Sequence, residues 1–435
     1  MALAPSAASL APDSADNDGG MHIDAPELRL FVMALFFIFG GITSLNDVII
    51  PKLKELFTLN YMQAMLIQTA FFAAYAIIGI PGAAIVKRVG YMRGAAIGLL
   101  TMMAGCLLFI PASGTATFGL FLLALFVLAS GVTIVQVVAN PLISLLGPAK
   151  TAGSRLTFAQ AFNSLGTTIF PIVGSIVMLG SLAKVKASDL SGAALDAYRS
   201  AETVAVVHSY LGLAVALAIV AGVVWANRNR LKGEHHDHGA VLKSFDLLLR
   251  PRFGFGALCI FLYVGAEVAI GSLIVNYMRQ PHVLGLSELS AGALIPLYWG
   301  GALIGRFIGS AVMRTIDPAK VLAFNAVGAL LLIVITTQTG GHLAAGSLLA
   351  IGLMNSIMFP TIFTLACEGL GERAADGSGV ICMAIVGGAV IPPLTGTLAD
   401  LTGGNLEIAL ILPAVCYLVI ASFGVYARQR VALHT

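Results

Sequence analysis

Along most of this chain the hydrophobic positions neither alternate nor recur at helical spacing; they run on without interruption. Apolar runs of about 20 residues, the length an α-helix needs to cross a bilayer, fall at 29–50, 61–86, 92–111, 117–146, 157–180, 203–226, 253–278, 290–313, 320–337, 342–367, 374–399 and 405–427. These twelve runs predict an all-α membrane protein with twelve transmembrane helices. A polar gap follows the sixth, where Asn227 to Arg250 carries Arg228, Arg230, Lys232, His235, His236, His238 and Lys243. The expected division is therefore a cytoplasmic tail (1–27), a six-helix bundle (28–226), a cytoplasmic linker (227–251), a second six-helix bundle (252–427) and a short cytoplasmic tail (428–435).

The two halves resemble each other weakly. Run four continues into run five through Asn140-Pro141, Gly147, Arg155, Gly166 and Pro171; run ten continues into run eleven through Phe359-Pro360, Gly369, Arg373, Gly387 and Pro392. Lys87-Arg88 after run two is echoed by Arg314 to Lys320 after run eight. Internal similarity of this kind predicts two like bundles facing each other, with a site between them near the membrane midplane. Pro81, Pro141, Pro171, Pro296, Pro360 and Pro392-Pro393 lie within runs. The backbone groups they release must be satisfied by neighbouring helices or by cavity water.

Composition agrees with the pattern. Of 435 residues 58% are hydrophobic and 10% charged, against about 25% charged in an ordinary soluble domain. The lipid bilayer is one expected partner; a net charge of +3, scattered over short loops, excludes a nucleic-acid surface. Lys87, Arg88, Arg93, Lys150, Arg155, Arg314, Lys320, Arg373, Arg428, Arg430 and the linker cluster fall on one side, which places both termini and the linker in the cytoplasm. The five cysteines all lie within apolar runs and read as small buried hydrophobes. Met1 to Pro26 lacks the basic start and apolar core of a signal peptide and reads as a disordered tail. The His235-His236-Asp237-His238 cluster has no second ligand group, so no metal site and no resident cofactor are expected. A monomer is expected.

Polar side chains inside the runs are the candidates for chemistry. Thr133, Gln136 and Asn140 in run four share one helix face, and Gln136 lies roughly 16 Å from the cytoplasmic boundary at 1.5 Å per residue. Gln160 and Asn163 share a face of run five. Together these amides offer donors and acceptors in both senses, as a neutral polyol requires; the plainer alternative is that they tie helices together, at about 0.6 kcal/mol per hydrogen bond. Glu267 lies near the midplane of run seven, about 22 Å and 18 Å from Arg252 and Arg279. With no cation nearby in its own helix it must be neutralised by a proton, a cation or another helix. It reads either as a coupling group or as a permanently protonated structural acid. Asp47, beside Asn46, is shallower and has Lys52 and Lys54 after it, so a simple helix-end carboxylate stays open. Trp299, with Tyr298, lies too deep for the interfacial belt and reads as a sugar-stacking ring or as core packing. Asn276 closes run seven, and Asn355 is a mid-run amide. No Ser/His pair, metal triad or phosphate-binding glycine loop stands at membrane depth, so an enzyme is not expected.

Several motifs then coincide with a known family: Leu45-Asn46-Asp47-Val48-Ile49-Ile50-Pro51, Ala139-Asn140-Pro141 with Leu145-Leu146-Gly147-Pro148, and Leu156 to Gly166 in the first half; Tyr263 to Val268 and Gly305 to Ser310 in the second. From about Phe36 to Ala427 the chain resembles the fucose:proton symporter and glucose/galactose permease group of the major facilitator superfamily. The resemblance implies alternating access, a hexose substrate (glucose or galactose first, fucose second) and coupling to a cation gradient, a proton ahead of sodium. In the fucose branch the acid matching Asp47 is a coupling group, and the amides matching Gln160 and Asn163 line the sugar cavity. That branch carries a glutamate at Gln136 and a glutamine at Glu267; the glucose/galactose branch is similar to this chain at both. The expected site is then Asp47 and Glu267 for coupling, with Asn46, Gln136, Asn140, Gln160, Asn163, Asn276, Trp299 and Asn355 for substrate. A bacterial inner-membrane location follows. The competing expectation is a proton-coupled exporter of a drug or small metabolite, which would call for a more apolar, aromatic cavity.

Overall fold

A computed structural model describes residues 28–56, 61–114, 117–174, 191–229 and 241–428. The first half holds α1 (Leu28–Leu56), α2 (Tyr61–Val89), α3 (Tyr91–Gly114), α4 (Phe118–Leu145), α5 (Ala152–Gly174) and α6 (Gly192–Ala226). The second holds α7 (Pro251–Met278), α8 (Glu288–Gly292), α9 (Ile295–Val312), α10 (Pro318–Gln338), α11 (Gly341–Asn355), α12 (Met358–Ala366), α13 (Ala374–Ala384), α14 (Gly387–Leu401), α15 (Leu406–Ala409) and α16 (Ile411–Tyr426). A 3₁₀ segment, Val241–Leu249, ends the linker. Among the described residues eleven segments are long and apolar enough to span a membrane. The bundle helix absent from that set is α5, whose Arg155, Thr157, Gln160, Asn163 and Ser164 make it polar. It is the helix on which the sequence places two candidate site residues.

Four predicted runs in the second half are each two helical segments, and proline chemistry accounts for most of the breaks. Proline has no N–H to donate, so Pro360 leaves the carbonyl of Ser356, four residues back, without its helical partner. The chain breaks there, between α11 and α12. Pro296 opens α9 close to its first residue, a position where the missing N–H costs nothing. Pro413 lies in the first turn of α16, just after the α15 break. Between α13 and α14 the break precedes Gly387-Gly388 and the Pro392-Pro393 pair. α10 starts cleanly because Asp317 caps the amides of Ala319 and Lys320 ahead of a first-turn Pro318. In the first half α6 begins at Gly192, ahead of the predicted 203, its extra turns carrying the polar residues Asp196, Arg199 and Glu202.

Packing repeats between the halves. α1 packs on α5 as α7 packs on α14; α3 packs on α4 and α6 as α10 packs on α11 and α16; α2 packs on α4 as α9 packs on α11. The halves meet along two equivalent seams, α2 against α13 and α5 against α9. In the first seam backbone meets backbone: a Cβ on Gly79 would lie 2.6 Å from the carbonyl of Gly379, and a Cβ on Gly379 equally close to that of Gly79. In the second, the Ser154 hydroxyl donates to the Ser310 carbonyl (2.7 Å), the Ser310 hydroxyl returns a bond to the Ser154 carbonyl (2.9 Å), and Phe158 meets Phe307 edge-on at 5.9 Å.

Asp376, nearly buried, fastens the first seam. Its two oxygens accept from Lys87 Nζ of α2 (3.1 Å), from Arg373 Nε (3.3 Å) and from the Ser244 hydroxyl of the linker segment (2.9 Å). Arg373 also grips the exposed Asp246 with both terminal nitrogens, at 3.0 and 2.6 Å. That guanidinium holds the Asp246 carboxyl below the ordinary carboxylate range. The contribution of this exposed pair is therefore present above the ordinary carboxyl pKa and lost as the pH falls through the lowered one. Removing a shared, buried carboxylate strands the cations around it, at about 3–5 kcal/mol, whereas exposed pairs contribute little. Asp376→Ala is thus expected to lower the thermal midpoint of the detergent-purified protein clearly, and Asp246→Ala to leave it nearly unchanged. Equal shifts in a melting assay would contradict the assignment of Asp376 as the seam's anchor.

Candidate functional site

Near the middle of α7, Tyr263 and Glu267 stand one helical turn apart on one face. The Tyr263 hydroxyl donates to Glu267 Oε1 at 2.7 Å and also sits 3.1 Å from the Asn355 carbonyl. Tyr298 of α9 donates to the Glu267 carbonyl at 3.2 Å and accepts from Asn355 Nδ2 at 2.8 Å. Tyr417 of α16 donates to Asn355 Oδ1 at 2.7 Å. Asn355, Tyr263, Tyr298 and Tyr417 are buried, so the Glu267 carboxyl, itself partly exposed, rests on a rigid polar floor.

Arg306 of α9 completes the arrangement. It interacts electrostatically with Glu267. Its Nε donates to the Ser356 carbonyl at 3.2 Å, and one terminal nitrogen donates to the Gln160 carbonyl at 3.0 Å and, in a very short contact, to the Ser164 hydroxyl. At the α11–α12 break the Ser356 carbonyl is thereby occupied by Arg306, and the Asn355 carbonyl shares the single Tyr263 proton with Glu267. The broken helix converts two backbone oxygens into acceptors at the site, and Arg306 uses one of them while reaching across the seam to α5.

The first half contributes less connected groups. Gln136, nearly buried, donates to the Tyr75 hydroxyl of α2 at 3.0 Å. The Gln160 side chain is also nearly buried. Asn163 donates to the Phe36 carbonyl of α1 at 3.3 Å, where the absence of a side chain on Gly40 makes room for its amide. In this conformation Asn163 ties α5 to α1. Asn140 is fully buried, and neither its Nδ2 nor its Oδ1 has a hydrogen-bond partner among the described residues. Such a group is costly, about 1–3 kcal/mol when unsatisfied. Asn276 is exposed at the end of α7; Trp299, also exposed, meets Tyr298 edge-on at 5.1 Å. α1 continues as helix through Asn46 and Asp47, but their side chains lie outside the described residues, as does the His235-His236-Asp237-His238 cluster. Among the described residues no group of three or more His, Cys, Asp or Glu side chains could hold a metal.

The structure thus brings Glu267 and Asn355 together and adds Tyr263, Tyr298, Tyr417 and Arg306, which sequence reasoning did not select. Arg306 had a signal as strong as that of Glu267, a lone cation well inside an apolar run. The tyrosines had only the Tyr263–Glu267 spacing, and Tyr417 had none.

Residues 32–393 match the Major Facilitator Superfamily. The chain belongs to that superfamily. Within it, the chain is 49% identical over 395 residues to the glucose/galactose transporter of Brucella abortus, covering 91% of this chain and 92% of the relative. It is 32% identical over 420 residues to the L-fucose-proton symporter of Escherichia coli, covering 93% and 95%. The crystal structure of the superfamily transporter FucP in the outward conformation superposes with a TM-score of 0.84 at 30% identity, over 92% of this chain and 99% of that one. The higher identity puts this facilitator on the glucose/galactose side of the group, and the superposition confirms the twelve-helix architecture. Its relatives are transporters and symporters, and it is not an enzyme.

Because the Asn355 side chain is fully buried, Tyr417→Phe leaves its Oδ1 without a donor. An unsatisfied buried acceptor costs about 1–3 kcal/mol. Tyr417→Phe is expected to lower the thermal midpoint, whereas Asn276→Ala, at an exposed helix end, leaves it in place. A silent Tyr417→Phe in the same melting assay would mean that the floor under Glu267 does not depend on this bond.

Proposed function

We propose that this protein is a secondary active transporter of the bacterial inner membrane that imports a hexose, glucose or galactose, by alternating access coupled to a proton gradient. The observation that carries the reading is Glu267, an ionisable carboxyl deep in a membrane-spanning helix, set on a tyrosine–asparagine floor and facing Arg306 across α9. A carboxyl in such a place exchanges a proton with little rearrangement, because Tyr263 donates to it in its charged form and Arg306 compensates its charge. Protonation removes that compensation, leaving the Arg306 guanidinium to rely on the Gln160 and Ser164 oxygens of the first bundle and the Ser356 carbonyl of the second. The proton is thereby linked to the seam that must open for the site to face the other side.

The neighbouring amides suit a neutral polyol, since Gln136, Gln160 and Asn355 offer donors and acceptors and no net charge. Trp299 supplies an apolar ring near the same level, and Asn46, Asn140, Asn163 and Asn276 are further candidates for contact as the bundles move. Asp47 is the second coupling candidate, nearer the outer end of α1. Both termini and the linker lie in the cytoplasm, and the working unit is a monomer.

Right-side-out vesicles test the reading. An imposed inward proton gradient is expected to drive glucose or galactose accumulation in the wild type, and an imposed sodium gradient is not. Glu267→Gln is expected to abolish uphill accumulation while retaining downhill exchange, and Asp47→Asn to impair it. Full uphill transport by both variants would overturn the coupling assignment; sodium-driven accumulation would replace the ion.

A further inference from the structure

Away from the polar centre, at the end of the second seam where Ser154 meets Ser310, a cavity of about 410 Å³ is lined by Arg29, Arg155 and Arg314 together with Met33, Phe158 and Ser154 among others. Among the described residues the lining includes no carboxylate. Arg29 and Arg155 repel each other, and among the described residues no acidic side chain pairs with any of the three. Three guanidiniums around one cavity, with no counter-charge among the described residues, have the chemistry of an anion site.

The duplication supplies an internal comparison. Arg29, at the start of α1, donates through Nε to the Leu146 carbonyl at 2.9 Å; Arg252, at the start of α7, donates through Nε to the Leu365 carbonyl at 2.8 Å. Counted from Pro141 and Pro360, Leu146 and Leu365 hold the same place in the two halves. In the second half the arginine also grips Glu368 in a very short ion pair. The matching position in the first half is Ala149. Arg373, the counterpart of Arg155, likewise has Asp246 and Asp376. The second half therefore carries its own carboxylates, and the first half has the same cations without them among the described residues.

We propose that this cavity binds a phosphate group, held by Arg29 of the first bundle and Arg314 of the second over the fixed charge of Arg155. Arg155 contributes charge only, because its nitrogens already donate to the carbonyls of Ile143, Ser144, Gly147 and Pro148 and to Thr151. Arg29 commits its Nε alone among the described contacts, and Arg314 is exposed, so both present terminal N–H groups to the cavity. A phosphate gripped by both spans the α5–α9 seam. It binds the joined bundles better than the parted ones, and so favours the state in which this end is closed. Resting on the alternating-access reading above, such binding slows turnover. The phosphate can be a soluble one or that of an anionic lipid headgroup, since the cavity lies at the membrane's basic face.

Two probes separate these sources. In uncharged maltoside detergent, inorganic phosphate titrated at constant ionic strength is expected to raise the thermal midpoint of the full chain saturably if the ligand is soluble. If it is a headgroup, phosphatidylglycerol in phosphatidylcholine nanodiscs has that effect and phosphate does not. In either arm Arg29→Gln and Arg314→Gln each weaken the response tenfold or more, while Arg252→Gln leaves it unchanged. Arg314 is exposed at a helix end, so its variant folds even if Arg29→Gln does not. No saturable response to either probe overturns the proposal, as does a response that survives Arg314→Gln or falls equally with Arg252→Gln.

Discussion

A guanidinium does not surrender its charge at any pH a cell encounters, so an arginine inside a membrane-spanning segment must be surrounded by oxygen. Arg306 meets that constraint with atoms from both halves of the molecule: the Gln160 carbonyl and Ser164 hydroxyl on one side, the Ser356 carbonyl and the Glu267 charge on the other. Much else follows from it. The helix after Asn355 must break so that Ser356 has a carbonyl to give, and Pro360 enforces the break by withholding its N–H. α5 must approach α9 closely, and the reciprocal Ser154–Ser310 bonds keep it there.

The same duplicated frame carries different chemistry at its two seams. Where α2 meets α13 the closure is ionic, with Asp376 drawing donors from α2, from the turn before α13 and from the linker. Where α5 meets α9 it is made of hydroxyls, aromatic edges and Arg306, and at the Ser154–Ser310 end Arg29, Arg155 and Arg314 have no acidic partner among the described residues. Placing a carboxylate in one half and an alanine in the other, at Glu368 and Ala149, leaves the backbone plan intact and changes only the electrostatics. The two seams thus join the halves by different chemistry, ionic at one and hydroxyl, aromatic and guanidinium at the other.

Much of the architecture was legible in the sequence because a bilayer demands apolar length and little else, and eleven such lengths are present among the described residues, with α5 the polar exception. Glu267 was legible for the complementary reason: a carboxylate there violates the rule. Arg306 violates it equally, but stood inside a motif read for resemblance and not for charge. Tyr417 could not be found, since a tyrosine in an apolar run carries no periodic signal and its value lies in reaching Asn355 from a distant helix. The helix breaks were half visible, as Pro296 and Pro360 stood at two of them without saying that they would interrupt the helix where Pro81 and Pro141 do not. Helical spacing put Asn140 and Asn163 on shared faces of their helices, but the neighbours that bury one and tie the other to α1 are tertiary facts.

The central claim is that the Glu267 carboxyl carries the transported proton. Its most direct test is the pH of a lightly buffered suspension of cells expressing the protein, recorded as galactose or glucose is added without an energy source. The wild type is expected to make the medium alkaline as sugar and proton enter together, and Glu267→Gln to exchange labelled sugar with no pH change. Alkalinisation by Glu267→Gln equal to that of the wild type would contradict the account.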